Sequence, residues 1–263
     1  MAECNPSGCD GCPVASVSKL ERLGMRLGKA DFVIALAGNP NTGKSTIFNA
    51  LTGLRQHTGN WPGKTIARAE GAFSLGGKRY KIVDLPGTYS LLSATDDEEV
   101  ARNFILFGRP DVAMVVLDAT RLERNLNLAL QVLQISNRAI VCVNLIDEAE
   151  AHGISVDERG LARDLGVPVV LTAARSGRGM DRLVREIDDM ANGRTPCTPC
   201  RIKYQVPGLR EAVDEVAQTL EEAYPSLPHR DWIAMRLLEG DPRVAEAVAS
   251  GAIGNLEPDH AAT

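Results

Sequence analysis

Residues 38–45, which are Gly-Asn-Pro-Asn-Thr-Gly-Lys-Ser, most constrain the fold of this chain. The string matches G-x-x-x-x-G-K-[ST], the phosphate-binding loop of P-loop NTPases. An apolar run of strand length, residues 32–37, precedes it, and residues 45–51 have the pattern of a helix. A strand, a glycine loop and a helix in this order aim backbone N–H groups at a phosphate. The sequence therefore predicts nucleotide binding.

Individual residues of this loop have distinct expected roles. Gly38 and Gly43 allow backbone angles that a side chain would forbid. Lys44 is expected to reach the β- and γ-phosphates, and the Ser45 hydroxyl to bind Mg²⁺. The alternative is a glycine turn that binds nothing. The other residues of this stretch that we predict to contact nucleotide are Asn39, Pro40, Asn41, Thr42 and Thr46.

A second motif, D-x-x-G, occupies residues 84–87 at the end of a predicted strand. Asp84 is expected to hold Mg²⁺ through water, and the Gly87 N–H to meet the γ-phosphate. Ras-like GTPases carry a water-orienting Gln after this motif, but here the residue is Thr88. No Arg is evidently placed as an internal finger, with Arg55 and Arg68 as alternatives, so we expect slow intrinsic hydrolysis.

The segment between the two motifs, residues 53–64, is rich in Gly and Asn. It predicts a flexible loop with an exposed Trp61. Thr65 follows this loop and opens the next predicted strand. It is the candidate that closes on Mg²⁺ only when a γ-phosphate is present. We also predict that its neighbours Gly63 and Lys64 contact nucleotide.

A third motif, N-x-x-D, follows another predicted strand at residues 144–147. A carboxylate at Asp147 can accept hydrogen bonds from N1–H and N2–H₂ of guanine, and adenine offers no such pair. The motif therefore predicts GTP rather than ATP. Asn144 is expected to tie the base loop to the phosphate-binding loop. A short loop after the last predicted strand can meet the guanine O6 through its backbone: Thr172, Ala173 and Ala174.

Strands alternate with helices along residues 30–193, which predicts an α/β fold with a doubly wound, mostly parallel sheet. We expect six strands, and a hairpin at residues 76–77 makes one of them antiparallel. Residues 194–263 show only helical patterns and predict a small all-α domain. Residues 1–29 form a Cys-containing extension, and their apolar spacing predicts a short amphipathic helix within it.

Composition excludes several classes of function. The net charge is −5, and residues 201–263 hold 6 basic and 11 acidic residues. Broad nucleic-acid binding needs a basic surface, so we expect no nucleic-acid partner. No run approaches the ~18 apolar residues of a membrane span. The polar N-terminus is unlike a signal peptide. We therefore expect this chain in the cytosol.

Five of the six cysteines form two clusters, each with a C-x-x-C pair. They could supply a tetrahedral thiolate site for zinc or an iron–sulfur cluster, a redox-sensitive dithiol, or merely loose thiols. Cys142 lies inside an apolar run, so we expect it to be a small residue of the core. The clustered cysteines are Cys4, Cys9, Cys12, Cys197 and Cys200.

Three strings together resemble the bacterial ferrous iron transport protein B (FeoB) family: GNPNTGKST at 38–46, QHTGNWPGKT at 56–65 and DLPGTYSL at 84–91. The resemblance covers about residues 30–250. It implies a GTPase domain, a helical domain that favours GDP binding as a dissociation inhibitor would, and a polytopic membrane region absent from this chain. The implied place is the cytoplasmic face of the inner membrane, where GTP hydrolysis gates or powers Fe²⁺ uptake.

The resemblance also implies partners and a cation. The partners are the protein's own membrane transport domain, small Feo accessory proteins and, as an option, a second copy. K⁺ is implied as an activator, held by Asn41 and by backbone oxygens of Gly59 and Trp61. A cation there would sit between phosphates much as an arginine finger does. The predicted catalytic residues are then Asn41, Lys44, Thr65 and Gly87.

Two other functions stay open at this point. One is an RNA-associated, cation-dependent GTPase, which would need a basic module that the acidic tail does not supply. The other is not an enzyme: a redox or metal sensor in which nucleotide only sets the conformation and the clustered cysteines bind the metal.

Overall fold

The structure is a computed structural model that describes residues 30–53, 56–92, 95–201, 206–225, 227–251 and 253. The helix predicted before residue 28 therefore lies outside the described residues. So do Arg55 and three of the clustered cysteines: Cys4, Cys9 and Cys12.

Seven strands form one sheet in the order β2-β3-β4-β1-β5-β6-β7. β3 is antiparallel to β2 and β4, and the other neighbouring pairs are parallel. This confirms the mostly parallel, doubly wound sheet with its antiparallel hairpin. The strands are β1 Phe32–Gly38, β2 Gln56–Asn60, β3 Ala67–Leu75, β4 Lys78–Asp84, β5 Val112–Asp118, β6 Ala139–Asn144 and β7 Val169–Leu171.

The expected number of six strands is wrong, because β2 lies where we predicted a loop. Its five residues pair with β3, from Gln56 opposite Gly71 to Asn60 opposite Ala67. The sequence of β2 has neither apolar alternation nor β-branched residues beyond one Thr, so its pairing with β3 creates the strand. β3 begins at Ala67, so Thr65 precedes this strand instead of opening it.

Nine α-helices occur within the described ranges, and a 3-10 turn at Ala119–Arg121 leads into the third. The short helix that begins within the N-x-x-D motif, at Ile146, was not predicted. The helices are α1 Lys44–Thr52, α2 Asp96–Gly108, α3 Leu122–Ile135, α4 Ile146–Ala151, α5 Glu158–Leu165, α6 Met180–Ala191, α7 Leu209–Ala223, α8 Arg230–Leu238 and α9 Pro242–Ala249.

The sheet separates two hydrophobic layers. Successive residues of β1 belong to opposite layers, since side chains alternate across a strand: Val33 and Ala35 enter one cluster, Ile34 and Leu36 the other. The second cluster includes Phe48 of α1 together with residues of α6. Cys142 is fully buried there, as predicted.

The last three helices, α7–α9, form what we call the helical unit. Asp241 caps α9 through hydrogen bonds from the N–H groups of Arg243 and Val244, and Pro242 occupies the first turn, as predicted. Buried residues of the unit such as Ile233 belong to the same hydrophobic cluster as Phe104 of α2. The predicted boundary near residue 193 therefore stays a prediction. Within the described ranges, no helix has the length and apolarity needed to cross a bilayer.

The order of the strands in the sheet determines where the site lies. β1 lies between β4 and β5, so the connections on the two sides of β1 run away from it in opposite directions. Ligands of open α/β sheets bind beyond the carboxyl ends of the strands at such a switch point. Gly38, Asp84, Asp118 and Asn144 end four adjacent strands at this edge.

Candidate functional site

The backbone of the phosphate-binding loop confirms the expectation for Gly43 but not for Gly38. Gly38 has no positive φ, and a Cβ there would instead lie 2.8 Å from the carbonyl oxygen of Val116. Asn41 and Gly43 have φ angles of 67° and 79°, in the left-handed region. Asn and Gly tolerate this region better than other residues. Gly43 is the N-cap of α1, and its carbonyl accepts a hydrogen bond from Ile47 N at 3.0 Å. The loop thus turns its N–H groups into a concave cradle, an arrangement that binds anions.

Asn144 connects the loops, as expected. Its Nδ2 donates to the carbonyl of Thr42 at 3.0 Å. Its Oδ1 accepts from Thr172 Oγ1 and from Ala174 N, both at 3.1 Å. A fully buried amide with both ends bonded holds three loops at fixed distances. The close packing also explains Gly43, because a Cβ there would lie 2.3 Å from Asn144 Nδ2.

Lys44 and Asp84 come together across the sheet. Lys44 Nζ donates to Asp84 Oδ1 and, at 2.7 Å, to the carbonyl of Leu85. Burial raises the pKa of Asp84 above its ordinary value, and the charge and hydrogen bond of Lys44 oppose that shift. Burial and Lys44 thus act on the Asp84 carboxyl in opposite directions, and a cation beside the carboxylate favours its ionised form.

The D-x-x-G segment rests directly on the phosphate-binding loop. Thr88 N donates to the carbonyl of Gly38 at 3.3 Å. A Cβ on Gly87 would lie 3.5 Å from Pro40 N, so these backbones are neighbours. Thr88 itself is buried, with 5% of its surface exposed. The Gly87 N–H is thus near the loop whose phosphates it is predicted to meet.

The base loop lies at the same edge. Asp147 is exposed in the first turn of α4, where a carboxylate can face a ligand. Ala173 N already donates to the carbonyl of Arg178 at 3.0 Å, and Ala174 N donates to Asn144. Arg178 forms a two-point ion pair with Glu150 of α4, with distances of 2.7 and 2.8 Å, which clamps this loop to the helix. The contact of the loop with guanine O6 stays a prediction.

A cavity of about 420 Å³ opens between the phosphate-binding loop and the start of α3. Polar groups dominate its wall, in keeping with a phosphate or sugar ligand. Sequence reasoning missed the part supplied by residues 118–125, because no motif marks it. The lining residues are Asn39, Pro40, Asn41, Thr42, Gly43, Tyr89, Asp118, Thr120, Arg121, Arg124, Asn125, Leu145 and Glu148.

Two amides in this wall are buried and incompletely paired. Asn39 is 2% exposed, and neither its Oδ1 nor its Nδ2 has a hydrogen-bond partner among the described residues. Asn125 Oδ1 is also buried without a hydrogen-bond partner among the described residues. Across the cavity, the Arg124 guanidinium stacks 4.6 Å from the ring centre of Tyr89, the residue after Thr88. Unpaired buried amides favour a polar occupant, because leaving them unpaired costs about 1–3 kcal/mol each.

The segment before Thr65 does not contribute the residues expected beside Asn41 in this structure. Gly59 belongs to β2, opposite Arg68, and neither Gly59 nor Trp61 lines the cavity beside Asn41. The expected exposure of Trp61 is wrong: the residue is 5% exposed, and its ring meets Phe104 edge-on with centres 5.5 Å apart. Thr65 is exposed. The predicted K⁺ site and the predicted closure of Thr65 stay predictions.

The charged residues of this segment have protein partners. Arg68, one candidate for an arginine finger, pairs with Glu70 at 2.9 Å. Lys64, predicted to contact nucleotide, pairs with Asp96 at 3.0 Å. Ser45 and Thr46 are exposed at the start of α1, beside Lys44.

The described cysteines carry free thiols. Cys197 is partly buried, and Cys200 is exposed. Their segment is bound to the end of α5, since Cys200 N donates to the carbonyl of Leu165 at 2.8 Å. No group of three or more His, Cys, Asp or Glu side chains suited to a metal occurs in the described part of the chain. The thiolate site also involves cysteines outside that part and stays a prediction.

The fold and the converging loops define a class of protein: a P-loop G domain, in which loops at one sheet edge bind guanine nucleotide. A family model for ferrous iron transport protein B matches residues 32–187, which is more than half of the chain. The chain therefore belongs to the ferrous iron transport protein B family, and the resemblance noted in the sequence is confirmed.

Individual relatives agree with this assignment. The chain is 42% identical over 229 residues to the Fe(2+) transporter FeoB of Salmonella typhimurium strain LT2, over 85% of this chain and 29% of that protein. It thus spans less than a third of that relative.

Solved structures also resemble the chain. The cytosolic domain of the T. maritima FeoB iron transporter in apo form has a TM-score of 0.76 and 33% identity, covering 86% of this chain and 92% of that one. Its GDP form II has a TM-score of 0.75 and 35% identity, and its GMPPNP form 0.74 and 34%, each covering 83% and 85% of the two chains.

Proposed function

We propose that this chain is the GTP-binding, GTP-hydrolysing cytosolic part of a ferrous iron transporter. The observation that carries the proposal is the Asn144 side chain, whose three hydrogen bonds join the phosphate-binding loop to both base-recognition loops. The solved FeoB relatives in GDP and GMPPNP forms support guanine nucleotides as ligands. Family membership favours this function over an RNA-associated GTPase or a non-enzymatic sensor.

The residues that we assign to the phosphates also suit Mg²⁺. Lys44 exchanges its contacts with Asp84 and Leu85 for the β- and γ-phosphates when nucleotide binds. Asp84 and the hydroxyls of Ser45 and Thr65 would hold Mg²⁺, which would neutralise charge that develops on the phosphates. The Gly87 N–H would donate to the γ-phosphate.

Hydrolysis is proposed to be slow without help, because Thr88 replaces a water-orienting Gln. K⁺ held by Asn41 and by carbonyls of Gly59 and Trp61 would supply the missing charge. The Trp61 carbonyl accepts a hydrogen bond from Lys64 N at 3.0 Å, so the segment must rearrange to form such a site. Steady-state GTP hydrolysis in KCl and in NaCl at equal ionic strength tests this, with faster turnover in K⁺ expected to vanish in Asn41→Ala. Equal rates in both salts would remove K⁺ from the mechanism.

The iron-transport part of the proposal rests on the relatives, which are named Fe(2+) transporters and are more than three times longer than the matched segment. We propose that the rest of the protein is a membrane domain at the bacterial inner membrane and that nucleotide state gates or powers Fe²⁺ uptake there. Small Feo accessory proteins and a second copy of the chain are further proposed partners.

The base assignment predicts a clean mutant phenotype. Asp147→Ala should abolish the preference for guanine over adenine nucleotides, because the carboxylate that accepts from N1–H and N2–H₂ is gone. Its exposure means that thermal stability should change little. Competition of GDP, ADP and IDP against a fluorescent GDP analogue measures the effect.

Thr65→Ala serves as the matched control. Its hydroxyl is proposed to act only with a γ-phosphate, so GDP affinity should stay nearly intact while hydrolysis is impaired. Equal losses of GDP affinity in both variants would contradict this division of roles.

A further inference from the structure

The cavity beside the phosphate-binding loop lies on the side of that loop that faces α3. Of the residues that we assign to guanine nucleotide, its wall contains only those of the loop itself, up to Gly43. Lys44, Asp84 and Asp147 do not line it. Glu148, the residue after Asp147, does line it, and successive residues of a helix point about 100° apart. A nucleotide held by Lys44 and Asp147 therefore leaves most of this wall without a contact.

Two buried amides in the wall have unused hydrogen-bonding atoms. Asn39 is 2% exposed, and both of its side-chain polar atoms are unpaired among the described residues. Asn125 is 4% exposed, and its Nδ2 donates to the carbonyl of Arg121 at 2.8 Å, so its Oδ1 is the unpaired atom. An amide donor and two amide oxygens thus line the cavity, and a ligand that pairs with them removes the cost of their burial.

Two carboxylates belong to the same wall. Asp118 ends β5, and its Oδ1 accepts from Thr120 N at 2.8 Å and from Thr120 Oγ1 at 2.7 Å. These two hydrogen bonds hold the carboxylate in place at the cavity. Glu148 is exposed in the first turn of α4. Carboxylates that accept hydrogen bonds from ribose hydroxyls are common in nucleotide sites.

The wall also has a basic and an aromatic part. Arg121 and Arg124 are exposed at the start of α3. The Arg124 guanidinium lies 4.6 Å from the ring centre of Tyr89, which is 45% exposed. Guanidinium groups bind phosphate through paired hydrogen bonds, and a nucleic-acid base stacks on an aromatic ring or on a guanidinium plane.

These kinds of group together match one class of ligand. Two cations and two carboxylates balance each other, which disfavours a simple anion or a metal ion as the occupant. A nucleoside monophosphate has a counterpart for each group: a flat base with donors and acceptors on its edge, a ribose diol and a phosphate. The volume of about 420 Å³ lies in the range of small-molecule sites. Adenine fits best, because an asparagine amide pairs with its N6 and N7 through two hydrogen bonds.

We propose that this cavity is a second nucleotide site, which binds an adenine nucleoside monophosphate beside the guanine nucleotide. Asn39 and Asn125 contact the base, and Asp118 accepts from the ribose. Arg121 and Arg124 hold the phosphate. The guanine nucleotide and this second ligand use different walls, so both are bound at the same time.

AMP is the probe that separates the two sites, because Asp147 can accept a pair of hydrogen bonds from guanine but not from adenine. Isothermal titration calorimetry of AMP into the chain saturated with GDP should show binding at one site. Further GDP should not displace the bound AMP. CMP should bind at least about tenfold more weakly, since cytosine lacks the N6 and N7 pair that an asparagine amide recognises.

Variants of the wall test the assigned contacts. Asn125→Leu should weaken AMP binding about tenfold, since one hydrogen bond to a buried amide is lost. Arg121→Met changes an exposed side chain, and it should weaken AMP binding by a similar factor but leave adenosine binding nearly unchanged, because only AMP has the phosphate. Arg163→Met is the matched control. Arg163 is exposed on α5 and pairs with Asp164 at 3.1 Å, so both affinities should stay the same. Circular dichroism identifies any variant that has not folded.

Three outcomes would overturn the second site. They are no detectable binding of millimolar AMP, displacement of AMP by GDP, and equal affinities for AMP and CMP. Unchanged AMP affinity in both Asn125→Leu and Arg121→Met, or an equal loss in Arg163→Met, would contradict the place assigned to the ligand. If the unaltered chain binds no guanine nucleotide, the proposed function fails, while AMP binding to the nucleotide-free chain still decides whether the second site exists.

Discussion

Gly43 shows how strongly one residue constrains the site. Its φ of 79° is strained for any side chain, and a Cβ would also strike Asn144 Nδ2 at 2.3 Å. Gly43→Ala should therefore displace Asn144 and the phosphate cradle together. We expect a loss of GDP affinity of at least about tenfold, since three loops lose their common anchor. Titration with a fluorescent GDP analogue measures the loss.

Gly76→Ala separates this effect from backbone strain alone. Gly76 has φ 58° in the β3–β4 hairpin, with open space around the added carbon. The substitution should cost about 1 kcal/mol of unfolding free energy and leave GDP affinity unchanged. If both alanine variants bind GDP like the unaltered chain, the close approach of Asn144 does not matter for the site.

At this scale, sequence reasoning identified much of the site. The N-x-x-D motif predicted that Asn144 ties the base loop to the phosphate-binding loop, and its hydrogen bond to the Thr42 carbonyl confirms this. Lys44 and Asp84 were assigned separately to the phosphates and to Mg²⁺, and their direct contact was not predicted. Arg124 was missed as a cavity residue. Its place in the wall comes from stacking on Tyr89, and no one-dimensional pattern encodes such a contact.

Helix α8 starts from a histidine that makes its stability depend on pH. His229 has φ 50°, and burial, with Arg201 and Arg109 nearby, lowers its pKa from 6.5 to about 4. Between pH 6.5 and about pH 4, His229 is therefore protonated in the unfolded chain but neutral in the folded chain. Stability is fully present above pH 6.5 and falls as pH drops towards 4, by roughly 2–3 kcal/mol from this group.

Urea unfolding at pH 7 and pH 5 tests this contribution. His229→Asn keeps a residue that tolerates positive φ but removes the titrating group. The loss of unfolding free energy on acidification should be smaller in this variant than in the unaltered chain. Identical losses in both proteins would show that His229 does not contribute.

At the scale of elements, the sequence predicted those with strong periodicity and missed those made by tertiary contact. The helices from α1 to α9 follow apolar spacing or capping signals, except for the six-residue α4. β2 and the buried Trp61 lie in a stretch that has the composition of a loop. Pairing with β3 and packing on Phe104 determine their structure, and both partners are distant in sequence.

The whole molecule offers two built-in reporters of cooperativity. Trp61 lies in the sheet domain and Trp232 in α8 of the helical unit, while one hydrophobic cluster includes buried residues of both parts. A shared core predicts one unfolding transition. Single-tryptophan variants, Trp61→Phe and Trp232→Phe, should therefore give coincident urea midpoints by fluorescence and by circular dichroism. A lower midpoint for the Trp232 signal would mean that the helical unit unfolds alone.

The edge strand β2 has a consequence for how this domain meets other surfaces. β2 covers β3 through five residue pairs, and it leads directly into the turn that carries Lys64 and Thr65. The proposed closure of Thr65 on a γ-phosphate would draw this segment towards the phosphates and unpair β2 from β3. Unpaired strand edges accept a further strand from another chain. This proposed movement would thus leave β3 as an exposed edge strand, which can pair with a strand of another protein.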